Sequence, residues 1–363
     1  MEMRGHDFFL QREPQRGSVL LTVIFVMTIL MLVGGYLLNF SSTELMIGDY
    51  YRDATEAYYL AEAGLQKALS LLKEDLNYKW GSRWLQFLSR SHPLGNGTFR
   101  VSLQDLGSNR VMITSTGYVG NVNQQITAEV LAAKAHQVLF RALNIRDGDL
   151  FIDGTVNGDI YVGGNLTIGD FSEIHGNVEA VGSVTGQNRV NGAVEEYSEP
   201  MSFPVIDEEQ YLADAVGEGN YYEGNFEQEE LLLNGIVFVE GNVIVEYISG
   251  DGLLFAMGDV MVEGGRVYRG SGGIPTIITK GTFIVKDSFR DIQIDAVIFA
   301  DKFLCIGDGA EFKGCIVAGY ANMGEGFLLR YDEKLLAGHN YPLPGAESEE
   351  VHLKVLKWSH PDD

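Results

Sequence analysis

Residues 18–40 read SVLLTVIFVMTILMLVGGYLLNF, a run of 23 residues without one charge. At 1.5 Å per residue such a helix is roughly 35 Å long, more than the bilayer hydrocarbon core of about 30 Å. Only 17 residues precede it, carrying Arg4, Arg12 and Arg16 and ending in Gln15-Arg16-Gly17. Beyond it the helical pattern continues. Ala54, Tyr58, Ala61, Leu65, Ala68 and Leu72 recur at alternating spacings of four and three, the seam of an amphipathic helix. A short leader (1–17), an apolar span and an amphipathic continuation therefore form one rod over 18–75, held in a membrane and built to pack sideways. Gly34-Gly35 and Asn39 to Thr43 are the places where it is expected to loosen. A secretory signal has a shorter core followed by a small-residue cleavage site, and NFSSTE (Asn39 to Glu44) is a poor one. A plain signal anchor explains the span with no cleavage at all. Glu2, Asp7 and Glu13 offset the leader arginines, although acids count little in the positive-inside rule, and Glu44, Asp49 and Asp53 suit an outer side.

The order of leader, Arg16-Gly17, apolar span and GDYYRDATEAYYLAEAGLQKAL (Gly48 to Leu69) resembles the N-terminal region of PilX-type minor pilins, with Ala61 to Gly64 (AEAG) as its most specific part. The resemblance spans roughly residues 10–75. It implies cleavage by a prepilin peptidase between Gly17 and Ser18, and partners in other pilins, the pilus assembly machinery and the cytoplasmic membrane. It also implies a single-pass precursor that later sits in a surface filament. Main pilins of that superfamily carry a glutamate at the fifth mature position. Here it is Thr22, which argues against a bulk subunit.

The leader is charge-neutral, so the net charge of −24 falls on the external portion. That argues against a nucleic-acid partner, whose phosphates need a basic footprint, and against simple adhesion to anionic lipid. Forty-four glycines against eight prolines indicate tight turns between short strands. Tyr78 to His92 reads as a connector covering the helix. Thr98 to Gln104, Arg110 to Gly117 and Gln124 to Leu131 then read as a small antiparallel sheet (76–135), with turns at Gly107-Ser108-Asn109 and Gly120-Asn121. One face of that sheet is expected to cover the outer half of the helix.

From about Asp147 glycine recurs ahead of short apolar strands. GDIYV, GNLTI, GNVEAV and GSV begin at Gly158, Gly164, Gly176 and Gly182; GNVIV, GDVMV and GTFIV begin at Gly241, Gly258 and Gly281, and DKFLCI at Asp301. Repeats of 17 to 23 residues read as coils of a β-solenoid over 147–345, loosely like bactofilins and other polymer-forming β-helices. A β-sandwich gives similar strands without so regular a recurrence of turns. The fold class is thus α+β: a long N-terminal helix, a small antiparallel sheet and a glycine-rich β-solenoid. Glu195 to Glu230 holds twelve acids and no Lys or Arg, and is expected to be a solvated insertion or else a cation- or partner-docking one. Leu329 to Asp332 resembles the end of long PilX-type proteins, where a final strand pairs with the body. Residues 346–363 are expected to be a loosely docked tail.

No HExxH, G-x-S-x-G or Walker pattern occurs and the seven histidines are scattered, so no metal, cofactor or catalytic residue is expected. Cys305 and Cys315, the only cysteines, either pair across neighbouring coils or stay as buried free thiols. These signals point to a minor pilin of a type IV pilus-like filament that displays a β-rich head at or near its tip. The other reading is a membrane-anchored β-helix that binds or cleaves polysaccharide at the cell surface. A groove lined by aromatics and paired carboxylates would favour the latter.

Overall fold

The computed structural model describes residues 18–79, 81–270, 273–286, 292–336, 341, 343–345 and 351–359; the leader through Gly17 lies outside the described residues. Helix α1, Ser18–Glu74, is 57 residues long and runs unbroken through Gly34-Gly35 and Asn39 to Thr43, where loosening was expected. Polar residues along it are satisfied by the helix itself: the hydroxyls of Thr28 and Thr43 donate to the carbonyls of Ile24 and Asn39 at 2.8 and 2.9 Å. Its lower half buries Ala57, Leu60, Ala61, Leu65, Ala68 and Leu72. The seam thus begins at Ala57, with Ala54 and Tyr58 half-buried beside it.

That seam lies on a five-stranded antiparallel sheet in the order His92–Leu94, Gly97–Gly107, Arg110–Val119, Val122–Ala133, His352–Ser359. Ser108 and Asn109, at φ 55° and 59°, form the two-residue hairpin loop, a left-handed pair that suits this turn. The last strand corrects the expectation of a loose tail. Residues 352–359 pair antiparallel with Val122–Ala133, with a bulge between Val355 and Lys357. A short helix α2, Ser82–Leu88, closes the bottom of this core with buried Trp84, whose indole donates to the Asp75 carbonyl at 2.8 Å.

Helix and sheet meet with almost no space between backbones. A Cβ on Gly117 would lie 2.7 Å from the Ala61 amide nitrogen and 2.8 Å from Leu60 Cβ. One on Gly64 would lie 2.7 Å from the Phe99 ring and collide with the Ser115 hydroxyl. This is the physical content of the AEAG segment: small residues let the helix settle onto the strands.

The remainder is a parallel β-solenoid of about ten coils. Its chain order is not its spatial order. Along one face the strands run 194–195, 178–180, 160–162, 143–145, then 316–318, 297–300, 276–279, 253–256, 236–239 and 221–222. The chain enters in the middle at Leu143, winds outward to Glu195, returns along the length of the solenoid and starts again at the far end with Tyr221. It then winds back until Ile316 pairs with Leu143 and Leu328 with Thr155. Both blocks advance in the same axial direction, so the head is a single-pass solenoid with its halves exchanged in sequence. Entry and exit thereby fall side by side at mid-length, where the small sheet is attached.

The glycine repeat has a specific cause. At one corner, each Asn or Asp after the glycine accepts a hydrogen bond from the backbone of the next coil. The Asn242 amide N–H donates to Asn225 Oδ1 at 2.9 Å, Asp259 to Asn242 at 2.8 Å and Thr282 to Asp259 at 2.7 Å. Asp149, Asn165 and Ser183 repeat the pattern, as do Asp159, Asn177 and Ala193. The carboxamide or carboxylate occupies the place where a Cβ on the following glycine would stand, as at Gly258 over Asn242 and Gly281 over Asp259. Replacing Asn242 by Ala leaves the Asp259 amide without its acceptor, and should cost about 1–2 kcal/mol. Urea unfolding of the purified protein measures it; an unchanged midpoint would show the ladder to be ornamental.

Two hydrophobic layers hold the head. The inner one fills the coils, with Ile160, Val178, Phe283, Phe303 and Phe327 among its members. The outer one covers the far face of the strands Ile236–Val239, Leu253–Ala256 and their neighbours, which are buried on both sides. Sheets covered on both faces require continuous apolar strands, and IVFV and LLFA are such runs.

The covering segment corrects the reading of 195–230 as an insertion. Residues 199–207 form a strap whose Met201 amide donates to the Tyr161 hydroxyl at 2.9 Å, with Phe203 edge-on to Tyr161. Helix α3, Glu208–Glu218, follows, capped by Asp207 and ended by Gly219 at φ 76°. Its buried Tyr211 stacks on Phe255, which stacks on Phe238. Residues 221–222 and 226–233 are themselves solenoid strands. The acids of 199–218 occupy the outer side of a connector that is apolar underneath, and those of 227–230 lie on a solenoid strand.

Candidate functional site

The surface that most needs a partner is the upper half of α1. Val19, Leu20, Leu21, Ile24, Phe25, Met31, Leu32, Leu37 and Leu38 are all exposed, and the apolar window of this helix is 0% buried. The helix is long and apolar enough to cross a membrane. A continuous apolar cylinder of this length is not a water-facing surface; it requires lipid or other apolar helices around it. Thr22 lies on this cylinder, exposed. Ser18 is the first helical residue and Gly17 lies outside the described residues, so the structure places only one side of the expected cleavage junction.

Charge returns abruptly where the cylinder ends. Arg52 bridges Asp49 and Asp53, both at 3.0 Å, and Tyr50, Tyr51 and Tyr59 stand exposed around them. Amphipathic aromatics of this kind suit a boundary between an apolar and an aqueous layer. Below it the rod is locked to the sheet. Asp105, at the tip of the first long hairpin, pairs with Lys79 and accepts from the Gly107 amide and, at 2.9 Å, from the Tyr78 hydroxyl. These contacts hold its carboxyl down at about 2.

The two cysteines do not form a disulfide: both are buried free thiols. Strand register explains why. Cys305 pairs with Met323 and Cys315 with Val297, so the two lie far apart along the paired strands. They also belong to different layers, Cys305 to the inner core and Cys315 to the outer one. Burial pushes both thiols up to about 12.

Near the entry and exit of the head, Arg269 bridges Asp295 and Asp332, and Lys313 adds a contact to Asp332 at 3.5 Å. Burial works against the charge on Asp332, yet Arg269, the Lys334 amide and Lys313 together hold its carboxyl below the usual range. A carboxyl depressed in the folded state stabilises above its unfolded pKa of about 4 and loses that contribution as pH falls. Arg269→Met should therefore lower head stability at neutral pH and flatten its acid dependence below about pH 4. Thermal melts of both proteins from pH 7 to pH 3 test this; parallel curves would contradict it.

Among the described residues no cluster of His, Cys, Asp or Glu is arranged to hold a metal ion. An open notch of about 1100 Å³ lies at the far end of the solenoid, lined by Glu227, Glu229, Glu246, Glu263, Tyr247 and Arg266 among others. Among the described residues Tyr247 is the one aromatic that lines it. Its hydroxyl donates to Glu230 at 3.3 Å, and the negative charge of Glu230 pushes its pKa up. Sequence spacing alone could not find this notch, because its glutamates come from three coils.

No family model matches the chain. No curated protein matches it either. Among solved structures, the competence-associated pilin ComZ from Thermus thermophilus is similar at 11% identity and a TM-score of 0.32, over 85% of this chain and 98% of that one. A likeness at this level leaves function to be argued from the rod and the head themselves.

Proposed function

We propose that this chain is a minor subunit of a type IV pilus-like filament. It is made as a single-pass membrane precursor, cut between Gly17 and Ser18, and then packed through α1 among the helices of other pilins. The observation that carries this reading is the division of one continuous helix. Its lower half is sealed against its own sheet, while its upper half is bare. A mere anchor needs only the span. It does not need one unbroken helix that continues into the core of the external body. The AEAG segment supplies the close packing that makes the rod and sheet rigid together.

The role is structural, not enzymatic. The polysaccharide alternative would draw on the acidic notch, but a sugar-binding groove needs aromatic platforms and among the described residues this one offers Tyr247 alone. The head then serves as a displayed body, attached at its middle with both ends of the solenoid free. Mass spectrometry of the N-terminus in membranes and in sheared filaments tests the assignment. The expected mature chain starts at Ser18, and Gly17→Ala should slow its appearance. Recovery of a chain starting at Met1 from both fractions would leave only the signal-anchor reading.

A further inference from the structure

We propose that the far end of the solenoid is a docking edge for a Lys/Arg-rich extended segment of a partner protein, taken up as an added β-strand. The two ends of the head are built differently. At one, the last strand is only two residues, Val194–Glu195. The chain then finishes that end itself: the Tyr197 and Ser198 amides donate to the Gly182 and Ala180 carbonyls, and Glu196 accepts from the Val184 amide. At the other, the end strand Phe226–Leu233 is eight residues long and pairs only with Val243–Gly250 on its inner side. No described strand lies across its outer edge, which leaves a row of backbone donors and acceptors for a partner.

The side chains at this edge state the partner's chemistry. Glu227, Glu229 and Glu230 are exposed on the end strand, and Leu232 is 62% exposed beside them. Acids at an edge often serve only to repel other strands. Here they continue away from the edge. The register sets Gln228 against Val245 and Glu230 against Tyr247, so Glu229 stacks on Glu246, and Glu263 follows on the next coil. Like charges one strand apart repel; Arg266 lines the same notch and Lys286 pairs with Glu263, so carboxylates outnumber cations among the described residues here. These glutamates line the notch of about 1100 Å³ that opens beside the edge, where alternate side chains of an added strand would fall. A second copy of this chain is a poor occupant, because its opposite end presents Glu195 and Glu196 and its like end the same acids.

The test uses the full chain in detergent and a short peptide of alternating lysine and valine, titrated by fluorescence anisotropy. A peptide N-methylated at alternate residues keeps the charge and loses the strand donors. The proposal expects the plain peptide to bind, the methylated one to bind about tenfold or more weakly, and Glu227→Gln/Glu229→Gln/Glu246→Gln to weaken binding similarly. The pair Glu173→Gln/Glu311→Gln, on a different part of the solenoid, should leave affinity unchanged. Equal binding of both peptides, or equal loss in both sets of variants, would reduce the effect to general charge attraction and overturn it. No binding of the plain peptide would overturn it too, and would leave the acids as an edge guard.

Discussion

Gly117→Val is expected to lift the rod off its sheet. The new side chain points into backbone, at the Ala57 carbonyl and the Ala61 amide, and into Leu60 Cβ. Backbone atoms have no alternative rotamer, so strand and helix must separate. Separation exposes a core that holds Leu65, Leu72, Ile113, Ile126 and Trp84, all fully buried. Overpacking of this kind costs about 3 kcal/mol or more where nothing can yield. The fluorescence of Trp84, sealed at the bottom of the same core, should shift towards that of a solvated indole, and the melting temperature should fall by several degrees. Gly217→Ala is the control. It lies in α3 with open space around the added methyl, so it should be neutral or stabilise by up to about 1 kcal/mol. Similar behaviour of the two variants would refute the close-packing account.

Phe255→Ala should have an effect of comparable size, for a different reason. Phe255 is fully buried on the outer face, between Phe238 at 5.0 Å and Tyr211 at 5.4 Å between ring centroids. Removing a buried Phe costs about 3–5 kcal/mol, and here it also loosens α3 and the strap that leads into it. Limited proteolysis should then cut within 199–207 far faster than in the wild type. The cut halves should remain together, because Ile316 to Ala318 still pair with Leu143 to Ile145 across the middle of the solenoid. If the nicked fragments separated on a gel-filtration column without denaturant, the exchanged order of the two blocks would be wrong.

The contrast between these sites marks what the sequence discloses. The uncharged run from Ser18, the helical seam and the Gly-Asn and Gly-Asp repeat each encode a local geometry, so rod and solenoid could be read directly. The exchanged order of the coils could not. Each coil looks alike from its own sequence, and nothing local says that Leu143 will meet Ile316. The covering strap leaves only an indirect trace in the sequence. Runs such as IVFV and LLFA are apolar at every position, which one buried face does not require, while the acids of 195–230 mask the apolar residues beneath them. The final strand was hidden because HLKVLKWS shifts its alternation at a bulge and sits on the sheet edge, half-exposed. The cysteines show the limit of spacing arguments: ten residues apart in sequence, they are parted by register and by layer.

The candidate site divides the same way. The bare cylinder of α1 is legible because apolarity without charge has few explanations. The acidic notch is not, because its carboxylates are collected from separate coils by the stacking. Under the cleavage proposed above Thr22 would be the fifth mature residue, where main pilins of the superfamily that the N-terminal region resembles carry a buried glutamate that meets a neighbour's free amine. A buried charge left without its partner costs several kcal/mol, so a subunit lacking that carboxylate is ill-suited to every position of a long polymer. The bulk of a ten-coil head argues likewise against repetition at a small axial rise.

Quantitative mass spectrometry of sheared, purified filaments tests the filament assignment most directly. The account predicts peptides of this chain in the filament fraction, beginning at Ser18, at a small fraction of the most abundant subunit. Its absence from filaments while it stays abundant in membranes, or its presence at the level of the main subunit, would contradict it.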